Sequence, residues 1–303
     1  MDLYKINKKY SFFLLLFNII FLISISKYFE NKQIEFQYQT IICFLLISII
    51  GVSHGALDHL KGYKLMKIYK VENKSYFYLA YIAVSLIVIF IWMIVPEIVL
   101  IIFLMVASYH FGKEDRCVEI TKSLVYDFLY LFKGSVIIIA PLLFHNEETS
   151  EIFQILNLDL GFLSSKFLIL MIFLSFIANI IITVQSNNGG FLIADWTNII
   201  LLNVFLSPLI AFTIYFCFLH SVRHSLSLIY EIDSNDFKVG FYKFIRKALP
   251  LTLMTLLLFI ISLYFLAKYY VFDDAILKVI FIGLASLTFP HILLEYLIEK
   301  NEK

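Results

Sequence analysis

Charged residues are scarce in this chain of 303 residues: Asp, Glu, Lys and Arg make up 16%, whereas 61% of the residues are hydrophobic. A soluble globular domain carries about 25% charged and about 45–50% apolar residues. The apolar excess falls in runs of about 18–24 residues, the length needed to cross a hydrocarbon core. The composition therefore excludes an ordinary soluble domain and predicts an integral membrane protein.

Net charge and cysteine are also in short supply. The formal net charge is +1, so the chain has no basic excess with which to bind the phosphates of a nucleic acid. Cys43, Cys117 and Cys217 form no CxxC pair, which argues against a disulfide framework and against a thiolate metal site. The first apolar run is not followed by a small-residue cleavage site, so we expect a retained first span and not a removed signal peptide.

The hydrophobic runs predict an all-α fold, a polytopic bundle of about eight to ten transmembrane helices that forms a single integral membrane domain over residues 1–303. The predicted spans are 10–27, 39–60, 76–95, 97–112, 122–144, 163–184, 191–206, 208–230, 249–268 and 275–298. The spans at 97–112 and 191–206 are short, and Pro96 and Pro208 border the tight connections beside them. The count of crossings depends on whether these two segments cross completely.

Lysine and arginine in the short connections predict how the bundle is oriented. The N-terminus and the segments 61–74 and 231–247 are basic, whereas 145–162 contains three glutamates and neither lysine nor arginine. With ten crossings, the basic segments and both termini fall on the cytoplasmic side. We therefore expect a multi-pass protein of the cell (inner or plasma) membrane, surrounded by lipid, with both termini cytoplasmic.

Histidine is concentrated in the apolar spans of the chain. Six of the seven histidines lie inside or at the ends of apolar spans: His54, His59, His110, His220, His224 and His291. Ionisable groups at membrane depth are costly and usually functional. A lone buried histidine is more often a hydrogen-bonded structural residue. Six histidines in the cytoplasmic halves of helices that run in one direction predict instead a shared metal centre.

The local spacing adds a coordination pattern to this cluster. His220 and His224 are four residues apart, so an α-helix places them on one face from adjacent turns. An acid follows three other histidines at the same spacing, in the pairs His54/Asp58, His110/Glu114 and His291/Glu295. A carboxylate that accepts the second N–H of a metal-bound imidazole fixes the orientation of the ring. The alternative interpretation of each pair is an ion pair on a helix surface at the membrane boundary.

Imidazole ligands without thiolate suit iron, zinc or copper. Structural zinc has no evident purpose inside a bilayer, whereas redox iron beside an apolar cavity would activate O2 against a membrane-soluble substrate. Membrane di-iron desaturases and hydroxylases resemble one another in their HxxxH and HxxHH clusters. This chain has a single HxxxH, no HxxHH and seven histidines in total, a pattern that favours one ion.

Four motifs carry a resemblance to a known family. They are GVSHGALDH at 51–59, SYHFG at 108–112, HSVRH at 220–224 and PHILLE at 290–295. Together they resemble the motifs of the Brp/Blh-type β-carotene 15,15′-dioxygenases of bacteria and archaea, and the resemblance covers residues from about 45 to 296. The segment before residue 30 lies outside it.

The resemblance implies an Fe(II)-dependent membrane oxygenase that cleaves the central 15,15′ double bond of β-carotene with O2 and releases two molecules of all-trans-retinal. The retinal of such enzymes typically serves a microbial rhodopsin. The family's four iron-binding histidines correspond here to His54, His110, His220 and His224. The remaining polar residues of the motifs are then expected to surround these ligands or the substrate: Asp58, His59, His291 and Glu295.

Two other functions are compatible with the same residues. One is a related membrane oxidase that acts on another carotenoid or lipid, which the mass of the product would distinguish. The other is a transporter whose histidines line a path for metal ions or protons. A transport path distributes ionisable groups through the whole membrane depth, whereas the predicted topology concentrates these histidines at one level and favours a site.

Overall fold

The computed structural model describes residues 3–28, 36–115, 124–161, 163–186 and 189–301. All regular secondary structure in these ranges is helical. The α-helices are α1 (Leu3–Tyr28), α2 (Phe36–Leu46), α3 (Asp58–Ile68), α4 (Ser75–Ile94), α5 (Pro96–Glu114), α6 (Leu124–Phe144), α7 (Asn146–Ile155), α8 (Ser165–Gln185), α9 (Gly190–Phe205), α10 (Pro208–Ile214), α11 (Val222–Ile232), α12 (Phe237–Leu266) and α13 (Phe272–Asn301).

Nine helices in the described ranges are long and apolar enough to cross a membrane. A helix satisfies its backbone hydrogen bonds internally, which is the requirement that the bilayer imposes on a spanning segment. The prediction of an all-α polytopic bundle is therefore confirmed. The short predicted span at 97–112 is the 19-residue α5, and it meets the length criterion. By contrast, α9 has 16 residues, about 24 Å of helix, which is less than the thickness of the hydrocarbon core.

One predicted span boundary and two predicted connections need correction. The second span continues to Ile68, because α3 follows it without a break. The basic segment 231–247 is not a loop after Asp236, since α12 begins at Phe237. The acidic connection 145–162 contains the amphipathic helix α7. Residues 122 and 123 of the fifth predicted span lie outside the described residues, and α6 begins at Leu124.

Two spans lose regular α-helical geometry close to the histidine motifs. Residues Ile47–Gly51 and Tyr215–Ser221 form π-helical segments, and a 3₁₀ segment, Val52–Leu57, follows the first of them. The Ser221 hydroxyl donates to the Gly51 carbonyl at 2.8 Å, which joins the two irregular segments. Inserted π turns change the direction of the side chains that follow, and they are frequent at functional sites.

Close packing of α5 against α6 fixes the end of α5 that carries His110. A Cβ atom added to Gly112 would lie 1.8 Å from the carbonyl oxygen of Tyr130. A Cβ atom at Gly134 would lie 1.9 Å from the carbonyl oxygen of Ser108. Only glycine at both positions allows the two backbones to approach this closely.

Candidate metal centre

Four histidines from three spans meet in the interior of the bundle. The ring centroid of His110 lies 5.3 Å from that of His220 and 5.2 Å from that of His291. The centroid of His224 lies 5.9 Å from that of His291. All four side chains are buried. Three of the predicted metal ligands are thus brought together, and His291, expected only around them, stands between two of them.

Glu295 lies among these histidines. Its Oε2 is 3.7 Å from Nδ1 of His110, and its Oε1 is 3.7 Å from Nε2 of His224 and 3.6 Å from Nε2 of His291. Lys61 also contacts this carboxylate, with Nζ 2.9 Å from Oε1. Glu295 is therefore in a position to bind a cation together with the imidazoles.

A carboxylate that the sequence motifs did not indicate holds His220. Nδ1 of His220 donates to Oδ1 of Asp115 at 2.9 Å, and the Tyr215 hydroxyl donates to Oδ2 at 2.5 Å. Burial favours the neutral acid, but the imidazole of His220, with Lys133 and Arg223 beyond it, holds the pKa of that carboxyl well below its usual range. Because an ionised carboxylate can only accept, Nδ1 of His220 carries the proton and Nε2 keeps a lone pair for a metal ion.

His291 has a similar partner. Its Nδ1 lies 2.8 Å from Oδ2 of Asp58, and the Tyr81 hydroxyl donates to the same oxygen at 2.8 Å. Asp58 was expected near the ligands because it follows His54 by four residues, but the side chain that it contacts belongs to α13. Nε2 of His291 consequently faces Glu295, as a metal-binding nitrogen would.

The arginine of the HSVRH motif connects the residues around the histidine cluster through a buried hydrogen-bond network. The Arg223 guanidinium is buried, donates from Nη2 to Oδ1 of Asp195 at 3.0 Å and forms an ion pair from Nη1 to Oδ2 at 2.9 Å. It also donates to Ser11 Oγ at 2.7 Å and to the carbonyl of Asp115 at 3.2 Å. One guanidinium thus joins α1, α9 and the residue that orients His220.

The remaining predicted histidines are placed differently. The backbone of His54 lies in the 3₁₀ segment, but its side chain is outside the described part of the chain, so its role as a ligand stays a prediction. Nδ1 of His59 lies 3.0 Å from the Ala56 carbonyl, and the ring packs edge-on against Tyr63. His59 lines a cavity beside the cluster, and its role beside ligands or substrate stays a prediction. His145 precedes α7, away from the cluster.

The donor set fits a transition-metal ion. Ligand atoms lie within 4.8 Å of one another in two groups of described residues, His110/His291/Glu295 and Glu114/His224/Glu295. Ligand atoms about 2.0–2.2 Å from one ion are at most about 4.4 Å apart, so small adjustments would close either group. Imidazole combined with carboxylate suits iron, zinc or manganese better than the soft ions that prefer sulfur.

An apolar cavity of about 230 Å³ ends on the histidine cluster. Its inner end is formed by His110, His220 and His291, and its sides by apolar residues of α4, α12 and α13. Ile82, Met254 and Leu258 line the cavity and are also half-exposed on the outer surface. The cavity therefore reaches the lipid-facing side of the bundle between α4 and α12.

A second apolar cavity, of about 80 Å³, lies on the other side of two aromatic residues. Phe111 and Phe216 line both cavities, and their ring centroids are 6.1 Å apart. Phe216 also stacks on the His220 imidazole, with centroids 5.8 Å apart and an angle of 13° between the planes. The cluster is consequently flanked by two apolar spaces that an aromatic pair separates.

Fold and site together define a class: a polytopic helical membrane protein with a buried centre of imidazole and carboxylate groups at the end of a lipid-accessible apolar cavity. The family model described as Beta-carotene 15,15′-dioxygenase matches residues 45–299, and the chain belongs to that family. This range agrees with the resemblance at about 45–296 and includes all four motifs.

A curated relative from an uncultured marine bacterium, 66A03, carries the same description, Beta-carotene 15,15′-dioxygenase. It is 29% identical to this chain over 259 residues, which cover 82% of this chain and 90% of the relative. No solved structure gives a significant match to the chain.

Proposed function

We propose that this chain is an iron-dependent membrane dioxygenase that cleaves the central 15,15′ double bond of β-carotene with O2 and yields two molecules of all-trans-retinal. Family membership over residues 45–299 supports the reaction. The structural observation that carries the proposal is the apolar cavity whose inner end includes His110, His220 and His291. A hydrocarbon substrate needs such a cavity, and O2 chemistry needs a redox ion beside it.

The ligands proposed for iron are His54, His110, His220 and His224, the histidines that correspond to those of the family. Asp115 would keep His220 in the tautomer that leaves Nε2 available. Fe(II), when bound, supplies the redox chemistry by which O2 is activated. We take iron rather than zinc because zinc has no redox chemistry and the proposed reaction consumes O2.

The residues of the chain contribute binding, orientation and the exclusion of water. β-Carotene has no polar group to hydrogen-bond, so its position must be fixed by the shape of apolar walls. In the proposed pose it enters from the bilayer between α4 and α12 and extends past the cluster. Phe111 and Phe216 border both cavities at this level, so they would position the polyene near its centre. Because the four described histidines of the cluster are buried, the site would exclude bulk water and limit side reactions.

The proposed location is the cell inner membrane, with both termini on the cytoplasmic side and the retinal available to a microbial rhodopsin. Crossing by α9 in addition to the nine longer helices would give the even number of crossings that this orientation needs. Reporter fusions at the two termini test it, since an odd number of crossings would put the termini on opposite sides.

Expression of the chain in β-carotene-producing cells supplied with iron tests the reaction. We expect loss of the orange colour and the appearance of retinal by chromatography, with no apocarotenal of any other chain length. Unbleached cells that contain membrane-inserted protein but no retinal would refute the assignment. A product of different mass would identify another cleavage position or another carotenoid.

A further inference from the structure

We propose that the centre holds two metal ions bridged by Glu295, one beside His110 and His291 and the other beside Glu114 and His224. This inference deepens the proposed function and rests on it in taking the ions to be iron. It departs from the single ion that the histidine count predicts, and it adds His291, Glu295 and Glu114 to the ligands.

The geometry divides the ligand atoms into two groups that share one residue. His110, His291 and Glu295 form the first, and Glu114, His224 and Glu295 form the second. Within each group the ligand atoms lie inside 4.8 Å, but the five side chains do not form one such group. A single ion could therefore reach all five only if the cluster contracted, whereas two ions would each use a set that already lies close together.

Glu295 has the arrangement of a bridging carboxylate. Its Oε2 lies 3.7 Å from His110 of the first group, and its Oε1 lies 3.7 Å from His224 of the second. Oε1 also lies 3.6 Å from His291 and so borders both groups. In two-metal enzymes the ions are about 3.5–4 Å apart, a separation that one carboxylate can span with its two oxygens.

The sequence pattern fits two ions once carboxylates are counted with histidines. Four segments of the sequence each carry a histidine followed four positions later by an acid or a second histidine: His54/Asp58, His110/Glu114, His220/His224 and His291/Glu295. Dinuclear carboxylate centres in helix bundles likewise combine glutamates from four inward-facing helices with a histidine from each of two of them. The small number of histidines then no longer argues against two ions, because glutamate supplies the remaining donors.

Lys61 suggests an alternative arrangement in which the site holds only one ion. Its ammonium lies 2.9 Å from Oε1 of Glu295 and could itself balance the carboxylate charge in place of a second ion. A carboxylate oxygen has more than one lone pair, so the lysine contact leaves room for a metal bond. The number of ions per chain distinguishes the two arrangements.

The test uses the full-length protein, purified without oxygen in detergent and loaded with Fe(II), with iron counted per chain by mass spectrometry. Electron paramagnetic resonance after one-electron oxidation then reports whether two irons are spin-coupled. We expect about two irons per chain and a coupled mixed-valence signal. Glu114→Gln should lower the content to about one and abolish the coupled signal, because it removes a charged ligand of the second group.

Glu299→Gln is the matched control. Glu299 follows Glu295 by one helical turn and pairs with Lys113 at 2.5 Å, outside both ligand groups, so this variant should keep both irons. Wild-type protein that makes retinal with only one iron per chain would overturn the two-ion inference and leave the proposed function standing. Retinal formation by protein without iron would instead overturn the iron requirement itself. Two irons retained in Glu114→Gln would overturn the ligand assignment.

Discussion

The carboxylate of Asp115 lies 2.9 Å from Nδ1 of His220, and this contact joins the end of α5 to the π-helical segment of another span. It fixes the tautomer of a predicted iron ligand. Asp115 lies at the C-terminal cap of α5, immediately after Glu114, and it contacts a histidine 105 positions further along the chain. The histidines of the candidate metal centre are thus held by carboxylates that belong to other helical segments.

Asp115→Asn should weaken iron binding by about 10–100-fold, the usual effect of removing a carboxylate that orients a ligating imidazole. The amide keeps the size of the side chain but loses the charge that favours the required tautomer. Titration of the purified protein against a coloured iron chelator measures the affinity. Asp127→Asn is the control, because Asp127 pairs with Tyr109 at an exposed position. Equal affinities for the two variants would contradict the role of Asp115.

Replacement of a ligand should remove iron rather than merely slow the reaction. His54→Ala, His110→Ala, His220→Ala and His224→Ala are each expected to weaken the binding of the ion that the histidine holds at least about tenfold and so to lower the iron content per chain, since each loses a donor that water does not replace with similar affinity. His145→Ala should retain the wild-type content, because His145 lies at the start of α7. Elemental analysis of purified variants provides the measurement. Any of the four variants that retains full iron would exclude that histidine from the ligand set.

Much of the fold could be predicted from the sequence, because the length of an apolar run and the cost of unpaired backbone groups in lipid leave few alternatives. The π-helical segments could not be predicted, since no residue pattern distinguishes Tyr215–Ser221 from regular helix. The close approach at Gly112 and Gly134 also depends on which two helices are neighbours. That choice is made by tertiary packing and not by local propensity.

The candidate site was predicted only in part for a related reason. An ionisable side chain at membrane depth costs free energy and is usually functional, so His110, His220 and His224 could be selected from the sequence. The carboxylates that hold His220 and His291 could not be assigned to them, because Asp115 contacts His220 of another span and Asp58 contacts His291 of α13. Spacing along one helix indicates neighbours on that helix alone. The sequence did indicate one buried acid. An arginine inside an apolar span, as in HSVRH, needs a buried carboxylate, and Asp195 is that carboxylate.

Arg223→Ala should destabilise the protein by about 3–5 kcal/mol, since it leaves the buried Asp195 carboxylate without its cation. The guanidinium makes one hydrogen bond and a second ion-pair contact to that carboxylate, and one hydrogen bond to Ser11. Thermal unfolding in detergent, followed by size-exclusion fluorescence, provides the comparison. Arg246→Ala, at an exposed position of α12, should leave the unfolding temperature close to that of the wild type. A similar small change in both variants would show that the network does not stabilise the bundle.

Leu258→Trp should slow β-carotene cleavage several-fold without loss of iron, because the larger side chain narrows the lateral mouth of the cavity. Leu257→Trp is the matched control. The two leucines are adjacent and exposed to similar extents, 52% for Leu258 and 57% for Leu257, but only Leu258 lines the cavity. Retinal formed per unit of membrane protein measures the effect. Equal rates for the two variants would argue against entry of the substrate between α4 and α12.

Removal and return of the metal tests the central claim most directly. The purified chain is depleted with a chelator, divided, and supplied with Fe(II) or Zn(II) before retinal formation from β-carotene is measured. We expect depletion to abolish the reaction, Fe(II) to restore it and Zn(II) to leave it inactive, because zinc occupies imidazole and carboxylate sites without redox chemistry. Undiminished retinal formation by protein shown to contain no iron would contradict the account.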